Sequence, residues 1–329
     1  MKNVKTSIVA GVVGALVLVT GALAPVKDAM AAFQPKKPVE FIIMAGTGGG
    51  ADQMARLIQS IIEKNDLATV PFIPINKPGG SGAEALRYLK DKSGDDHVVM
   101  ITLNSFFTTP QLNPGLGVDV SEFTPIARMA IDTFLLWVTS DSGINNLDEY
   151  VAAVKSKGQG WKMGGTGQGQ EDSLVTGMLE SEFGFKVTYV PFPGGGTVAK
   201  NLIGKHIDST VNNPSEQLGF YEAGKSRPLM AMTPERLPQF PDVPTSAELG
   251  HPEIVYFMQR SIFAPPNISK EVQAYYIDVF RKVFDSKEWI DFTKSDGLFR
   301  DWKSGDELGE FYKSEYAKHT NLLKAMGKL

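Results

Sequence analysis

The chain has 329 residues, of which 42% are hydrophobic and 21% charged, a composition that is ordinary for globular proteins and a length that allows two domains. Its formal net charge of −4 carries no basic excess, which argues against nucleic acid as a partner. The chain contains no cysteine, which excludes disulfides, thiol chemistry and a lipid anchor on an N-terminal cysteine.

The N-terminus has the layout of a secretory signal peptide. Lys2 and Lys5 precede 18 uncharged residues, 7–24, and Ala29 and Ala31 supply the small side chains of a cleavage site after Ala31. An uncleaved membrane anchor is the alternative, because an 18-residue segment is near the lower limit for spanning a bilayer. Removal of residues 1–31 would leave a net charge near −6. We therefore expect an exported protein that works in the periplasm.

A strand–loop–helix pattern then repeats along the chain and predicts an α/β fold of parallel sheets covered by helices. Strands are predicted at residues 39–44, 69–75, 97–103, 134–139, 188–192 and 207–211. Helices are predicted at residues 83–90, 147–156, 174–183, 197–203, 270–284 and 306–326. Two apolar segments, 134–139 and 257–264, are interpreted as strands that cross between two lobes. They place one lobe at residues 33–133 plus 260–329 and the other at 134–259.

Two glycine-rich elbows each follow a strand and open a helix. The first elbow (residues 46–52) reads Gly-Thr-Gly-Gly-Gly-Ala-Asp, and the second elbow (residues 164–172) reads Gly-Gly-Thr-Gly-Gln-Gly-Gln-Glu-Asp. Such elbows present backbone N–H groups at the positive end of a helix dipole, which makes an anion site. A tight turn that needs glycine only for its backbone is the alternative. Two elbows predict two lobes that hold one acidic ligand between them.

The acidic residues of the elbows have two interpretations. Asp52, Glu171 and Asp172 lie in the first turns of their helices, where a carboxylate complements the helix dipole. Alternatively, one of them faces the cleft and accepts a hydrogen bond from a ligand hydroxyl, a water or an ammonium group. We expect Asp52 to face the cleft, and for Glu171 and Asp172 the question stays open.

Other kinds of site are weakly supported. The first elbow fits the Gly-x-Gly-x-x-Ala dinucleotide pattern, but the next strand ends in Asn76-Lys77 and not in an acidic residue. Residues 79–83 lack the last glycine of a nucleophile elbow. The four histidines have no metal-ligand spacing; they are His97, His206, His251 and His319. We therefore expect no cofactor, no metal and no catalytic residue.

Six segments occur in the order of a known family. They are Gly48-Gly49-x-x-Asp52 and residues 76–82, 123–127, 165–169, 190–196 and 241–250. On these segments the chain resembles the periplasmic solute receptors of tripartite tricarboxylate transporters, the Bug or TctC-like family. The resemblance implies a type II periplasmic-binding-protein fold, with two α/β lobes, a hinge and a ligand cleft between them. It implies binding of a small organic carboxylate without catalysis, and delivery to the large and small membrane subunits of a transporter. We expect a monomer.

The resemblance also implies which residues contact the ligand. In the first lobe they are Thr47, Gly48, Gly49, Asp52, Gly79, Ser81, Asn104 and Ser105. In the second lobe they are Thr166, Gly167, Gln168, Gln170, Gly194, Gly195 and Asn213.

The chain departs from the family pattern at two places. It has Gln170-Glu171-Asp172 where many members have a small hydroxyl residue followed by His, and Phe192-Pro193-Gly194 where many have Tyr-Lys-Gly. The lost lysine and the added acids favour a monocarboxylate, an amino acid or a hydroxylated acid over a highly charged carboxylate. Two other functions remain open: a ligand sensor that feeds a signalling partner, and a periplasmic enzyme of carboxylate metabolism.

Overall fold

Two mixed β-sheets, each packed against helices, build the fold. The computed structural model describes residues 33–329, and the predicted signal peptide, residues 1–31, lies outside the described residues. Residues 33–329 group into one unit by their contacts. None of the helices in this part of the chain has the length and apolar character needed to cross a membrane.

Strands and helices alternate along most of the described chain. The strands are β1 (Val39–Ile43), β2 (Phe72–Asn76), β3 (Val98–Ile101), β4 (Thr124–Asp132), β5 (Leu135–Thr139), β6 (Lys162–Gly165), β7 (Thr188–Pro191), β8 (Ser209–Asn212), β9 (Ser226–Ala231), β10 (Met258–Ala264) and β11 (Lys303–Ser304). The α-helices are α1 (Gly50–Lys64), α2 (Ala83–Asp91), α3 (Ser105–Leu112), α4 (Leu147–Lys157), α5 (Glu171–Phe183), α6 (Gly195–Ile203), α7 (Pro214–Glu222), α8 (Lys270–Asp285), α9 (Lys287–Ser295) and α10 (Gly305–Ala325).

The strands divide between a six-stranded and a five-stranded sheet. The first sheet has the order β11-β4-β10-β3-β1-β2, and the second has the order β7-β6-β8-β5-β9. β1 is parallel to β2 and β3, and β6 is parallel to β7 and β8. β10 is antiparallel to β3 and β4, while β5 is antiparallel to β8 and β9. The prediction of wholly parallel sheets is therefore wrong, although the α/β class is confirmed.

The two apolar segments expected to cross between lobes each belong to one sheet. β5 pairs only with β8 and β9 in the second sheet, and β10 pairs only with β3 and β4 in the first. The chain passes from the first sheet to the second between β4 and β5, and it returns between β9 and β10. The crossing strands are thus a misinterpretation of two central, buried strands. The limits of the lobes remain a prediction.

The sequence explains why these elements form where they do. β1 is almost continuously apolar and buried, as expected for a central strand covered on both faces. α1 buries Met54, Ile58, Ile61 and Ile62, which recur at helical spacing and face the sheet. Phe41 contacts Phe72 and Phe280 edge to face inside this layer. Each fully buried phenylalanine contributes about 1.5–3 kcal/mol to stability. The core therefore holds the strand ends, and the loops that follow them, in fixed positions.

Candidate functional site

The loops at the strand ends of the two sheets meet each other. The backbone N–H of Gly46 donates to the carbonyl of Pro193 at 3.0 Å. The Ser81 hydroxyl donates to the carbonyl of Gln168 at 3.0 Å, and the Thr108 hydroxyl donates to that of Gly169 at 2.8 Å. These bonds join loops of the first sheet to loops of the second. The structure is thus a closed arrangement in which the two elbows and their neighbours are in contact.

Glycine permits this close approach at two points. A Cβ atom on Gly196 would lie 2.4 Å from the carbonyl oxygen of Gly48, and a Cβ on Gly46 would lie 2.8 Å from that of Pro193. Both distances are shorter than a carbon and an oxygen atom tolerate without a backbone shift. These glycines therefore have a role beyond turn formation, because any side chain would hold the two sets of loops apart.

The meeting loops enclose a cavity of about 20 Å³, which is room for roughly one water. Some of its lining residues are among the predicted ligand contacts: Gly49, Thr166, Gln170, Gly194, Gly195 and Asn213. Others were not predicted as contacts: Ala45, Gly50, Ala51, Leu103, Glu171, Asp172, Pro193, Glu216, Met258 and Arg260. A solute of several heavy atoms can enter only if the loops of the two sheets separate first.

The remaining predicted contacts do not line this cavity. They are Thr47, Gly48, Asp52, Gly79, Ser81, Asn104, Ser105, Gly167 and Gln168. Ser81 and Gln168 instead bond to each other across the closed loops. The Asn104 amide donates to the Tyr256 hydroxyl at 3.0 Å and to the carbonyl of Phe257 at 2.8 Å. In the closed arrangement, these residues hold the loops together or secure the strand ends.

Asp52 was expected to face the cleft, but its carboxylate points back into the first elbow. It accepts hydrogen bonds from the Gly48 N–H at 2.9 Å, from Arg56 Nε at 2.9 Å and from Asn76 Nδ2 at 3.0 Å. Burial raises the pKa of Asp52, but the bonds from Arg56, Gly48 and Asn76 outweigh burial and hold the pKa below its ordinary value. Asp52 therefore fixes the shape of the elbow.

Arg260 is the cation at the cavity. Its Nε donates to Asp132 Oδ2 at 3.0 Å, its Nη2 contacts the same oxygen, and Nη2 also donates to Asn213 Oδ1 at 3.1 Å. Both side chains of the ion pair are 1% exposed. Within the described residues, Nη1 of Arg260 has no hydrogen-bond partner. The sequence analysis missed this pair, because Asp132 and Arg260 were considered only as neighbours of the lobe limits.

Glu216 extends from the start of α7 to the start of α1. Its Oε1 accepts from the Gly50 N–H at 3.2 Å, and its Oε2 accepts from Asn212 Nδ2 at 2.7 Å and from the Asn213 N–H at 3.1 Å. The pattern Asn213-Pro214-x-Glu216 is a capping-box signal that the sequence analysis did not use. A carboxylate of the chain itself therefore occupies part of the anion site predicted at the first elbow.

Glu171 and Asp172 both line the cavity, which settles the orientation that the sequence left open. Glu171 Oε1 accepts from the Ser105 N–H at 2.5 Å, while its Oε2 is buried without a partner among the described residues. Asp172 Oδ2 accepts from the Thr166 N–H at 2.8 Å. Burial raises the pKa of both carboxyls, and the charge of Glu216 raises that of Asp172 further. The second elbow is thus strongly acidic at the cavity.

A surface group elsewhere contains three side chains that could ligate a metal. Glu182, His251 and Glu253 place one ligand atom each within 4.8 Å of the others, and His251 Nδ1 lies 2.6 Å from Glu182 Oε1. The sequence analysis found no metal-ligand spacing at His251, because Glu182 is distant from it in the chain. A larger apolar cavity, of about 480 Å³, lies between α3 and α10 and is lined by Phe106, Phe107 and Tyr312.

Comparison with known proteins agrees with the fold. Residues 54–328 match the family described as "Tripartite tricarboxylate transporter family receptor" (TctC). Two bacterial relatives are each 23% identical to this chain. Protein BugT of Bordetella pertussis is matched over 96% of both chains. A UPF0065 protein of Cupriavidus necator is matched over 89% of this chain and 88% of its own.

Solved structures share the architecture. The periplasmic binding protein BugD superposes with a TM-score of 0.85 at 21% identity, covering 89% of this chain and 98% of its own. An R. palustris protein solved with adipate has a TM-score of 0.83 at 23% identity, over 89% of this chain and 98% of its own. MatC from Rhodopseudomonas palustris, solved with bound malate, has a TM-score of 0.79 at 20% identity, over 88% and 99%. The family match covers most of the described chain, and the fold is that of periplasmic binding proteins. This chain belongs to the TctC family of solute-binding receptors of tripartite tricarboxylate transporters.

Proposed function

We propose that this receptor captures a small organic carboxylate in the periplasm and delivers it to the large and small membrane subunits of a tripartite tricarboxylate-type transporter. The observation that carries the proposal is Arg260, whose Nη1 has no partner within the described residues although the side chain is 1% exposed and lines the cavity between the elbows. A buried guanidinium N–H without a partner is costly, and a carboxylate is its best-matched acceptor.

Two relatives support the class of ligand. The R. palustris relative was solved with adipate and the MatC relative with malate, and both names denote carboxylates. The predicted contacts that line the cavity, among them Gly49, Thr166 and Gly195, would then surround the ligand together with Arg260. Predicted contacts outside the lining, such as Ser81 and Gln168, would act by closing the loops.

Binding would be coupled to closure of the two sets of loops. A cavity of about 20 Å³ admits no organic acid, so the solute would bind while the loops are apart, and the loops would close onto it. The ligand would favour closure by as much as its affinity for the closed form exceeds that for the open form. The membrane subunits would then recognise the closed form. No chemical change of the solute is part of the proposal.

The first test is a thermal-shift screen of the purified protein against organic acids, with hits confirmed by titration calorimetry. A ligand at about 100 times its dissociation constant should add roughly 2.7 kcal/mol to the free energy of unfolding. Arg260→Lys keeps a charge beside Asp132 but removes the guanidinium fork, so it should weaken binding. Arg128→Lys changes another buried arginine of the first sheet that does not line the cavity, so it should leave affinity unchanged.

The test separates three results. Stabilisation by one carboxylate that is recovered unchanged, together with loss of its uptake when the gene is deleted, supports the proposal. Stabilisation with normal uptake but altered gene expression would identify a sensor. Conversion of the ligand would identify an enzyme. The absence of stabilisation by any acid would overturn the carboxylate proposal.

A further inference from the structure

The charge balance of the cavity is unusual for a site that binds an anion. Four carboxyl groups surround it: Glu171, Asp172 and Glu216 belong to its lining, and Asp132 pairs with Arg260. Arg260 is the one cationic side chain among the lining residues. Among residues 33–329, Glu171, Asp172 and Glu216 form no ion pair with lysine, arginine or histidine, whereas Arg260 already has Asp132. The cavity therefore has more negative than positive groups.

The backbone donors of the site are partly used by these same carboxylates. Glu216 accepts from the Gly50 N–H, Glu171 from the Ser105 N–H and Asp172 from the Thr166 N–H. Donors at the starts of α1 and α3 are thus engaged by the chain itself. A ligand with several carboxylates would have to displace these groups or lie beside them, and in either case it would add negative charge to an acidic cavity.

Glu171 shows what the site lacks. Its side chain is 1% exposed and lines the cavity, and its Oε2 has no hydrogen-bond partner among the described residues. A buried carboxylate oxygen without a donor or a counter-charge is expensive. Burial also raises the pKa of Glu171, Asp172 and Glu216, so each carboxylate is more costly to keep ionised in the closed cavity. A bound cation would remove this cost.

Building on the proposed function, we propose that the solute carries a positively charged nitrogen in addition to its carboxylate. Arg260 Nη1 binds the carboxylate, and Glu171 Oε2, together with Asp172, binds the nitrogen. The two unpartnered buried atoms of the cavity have opposite charge, which matches a zwitterion of the amino-acid type. The ammonium group donates to Glu171 Oε2 and offsets the repulsion between Glu171, Asp172 and Glu216.

A metal ion is a poorer candidate for the missing charge. Within residues 33–329, the group of three carboxylate or imidazole ligand atoms that lie within 4.8 Å of one another is Glu182, His251 and Glu253 on the surface. The acidic residues of the cavity do not converge to that distance. Their wider spacing fits an ammonium group, which donates several hydrogen bonds in different directions.

The experiment compares matched sets of three compounds with the purified protein. Each set contains an amino acid, the acid without its amino group and the amine without its carboxylate. The sets are alanine, propionate and ethylamine; valine, isovalerate and isobutylamine; phenylalanine, hydrocinnamate and phenethylamine; and γ-aminobutyrate, butyrate and propylamine. The remaining common amino acids are then screened alone. We expect stabilisation by amino acids and, for the compound that binds, an affinity about tenfold or more above that of its deaminated partner.

Variants test the assigned residues. Glu171→Gln keeps an acceptor for the Ser105 N–H and removes the charge, and Asp172→Asn does the same for the Thr166 N–H. Each should weaken binding of the amino acid about tenfold or more and reduce the preference over the deaminated acid. Glu182→Gln changes another acidic residue of α5 that lies outside the cavity, and it should leave affinity unchanged.

The outcomes distinguish this inference from the proposed function. If deaminated acids bind as well as amino acids, the cationic nitrogen is overturned and the carboxylate receptor stands. If amines without a carboxylate bind best, the nitrogen is supported and the carboxylate falls. If no compound of any kind binds, both proposals are overturned.

Discussion

The carboxylate of Glu171 in the second elbow accepts a hydrogen bond of 2.5 Å from the backbone N–H of Ser105. Glu171 begins α5, which packs with the second sheet, and Ser105 begins α3, which follows a strand of the first sheet. The bond therefore connects the two sets of loops through a charged group that lies in a nearly dry cavity. Closure of the cavity and the protonation of Glu171 are consequently coupled.

This coupling predicts how stability depends on pH. Burial raises the pKa of Glu171 above its ordinary value of 4.5, so the folded protein binds this proton more tightly than the unfolded chain does. The contribution of Glu171 to the free energy of unfolding must then fall as pH rises from 4.5 through its raised value. Glu171→Gln removes this loss, so the melting temperature of the variant should exceed that of the parent by more at about pH 8 than at about pH 5.

Other charged groups near Glu171 act on both proteins, so the difference between the two melting curves isolates its contribution. Glu171 raises the pKa of Tyr189 and Tyr256, and Arg260 lowers the pKa of Glu171 without reversing the effect of burial. Asp172→Asn should show the same sign. A difference in melting temperature that stays constant across the pH range would contradict the argument.

Close backbone contact predicts the effect of adding one methyl group at Gly196. A Cβ there would lie 2.4 Å from the Gly48 carbonyl oxygen, so Gly196→Ala should disfavour closure by about 1–3 kcal/mol and weaken ligand binding about tenfold to a hundredfold. The matched control is Gly219→Ala in α7, where a Cβ meets no atom within 4 Å. It should raise stability by up to about 1 kcal/mol and leave affinity unchanged. Small-angle scattering should show a more open Gly196→Ala protein.

The sequence predicts the elements of this fold better than the chemistry of its cavity. The predicted helix at residues 83–90 is α2 (Ala83–Asp91), and the predicted strand at 39–44 is β1 (Val39–Ile43), because apolar spacing and glycine or proline boundaries are local signals. The prediction missed α3, which contains Pro110, and also missed β4, β9, α7 and α9. In α3 the contacts of Phe106 and Phe107 with the core outweigh the cost of the proline.

The cavity depends on contacts between residues that are far apart in the chain. Arg260 meets Asp132 only because β10 lies beside β4, and Glu216 meets Gly50 only because α7 faces α1. No spacing in the sequence reports such pairs. Asp52 shows the opposite error. Its position in a glycine-rich elbow indicated a cleft residue, but Arg56 and Asn76 bind its carboxylate within its own layer. Local patterns therefore found the loops and not the charges between them.

The role of Asp52 in the elbow predicts an effect on shape and on acid stability. Asp52→Ala removes the acceptor of the Gly48 N–H and leaves Asn76 Nδ2 with its bond to the Ala45 carbonyl. Hydrogen exchange at Gly48 should become faster, and ligand affinity should fall without a change in the preferred ligand. The pKa of Asp52 is lowered in the folded protein, so its contribution to stability is present above its ordinary value of 3.8 and is lost as pH falls below that value. The Asp52→Ala protein should therefore lose less stability than the parent on acidification in that range.

The Asp132–Arg260 ion pair predicts non-additive effects on stability. Asp132→Ala leaves Arg260 buried and without its counter-charge, which should cost about 3–5 kcal/mol in urea unfolding. The double variant Asp132→Asn with Arg260→Gln removes both charges, so it should cost clearly less than Asp132→Ala alone. The exposed pair Lys270–Asp306, with side chains 80% and 90% exposed, is the control, and Asp306→Ala should change stability by less than about 1 kcal/mol. If the double variant costs as much as the sum of its single variants, the two side chains do not act as a pair. If it folds well but loses all ligand binding, the pair serves to present the guanidinium to the solute.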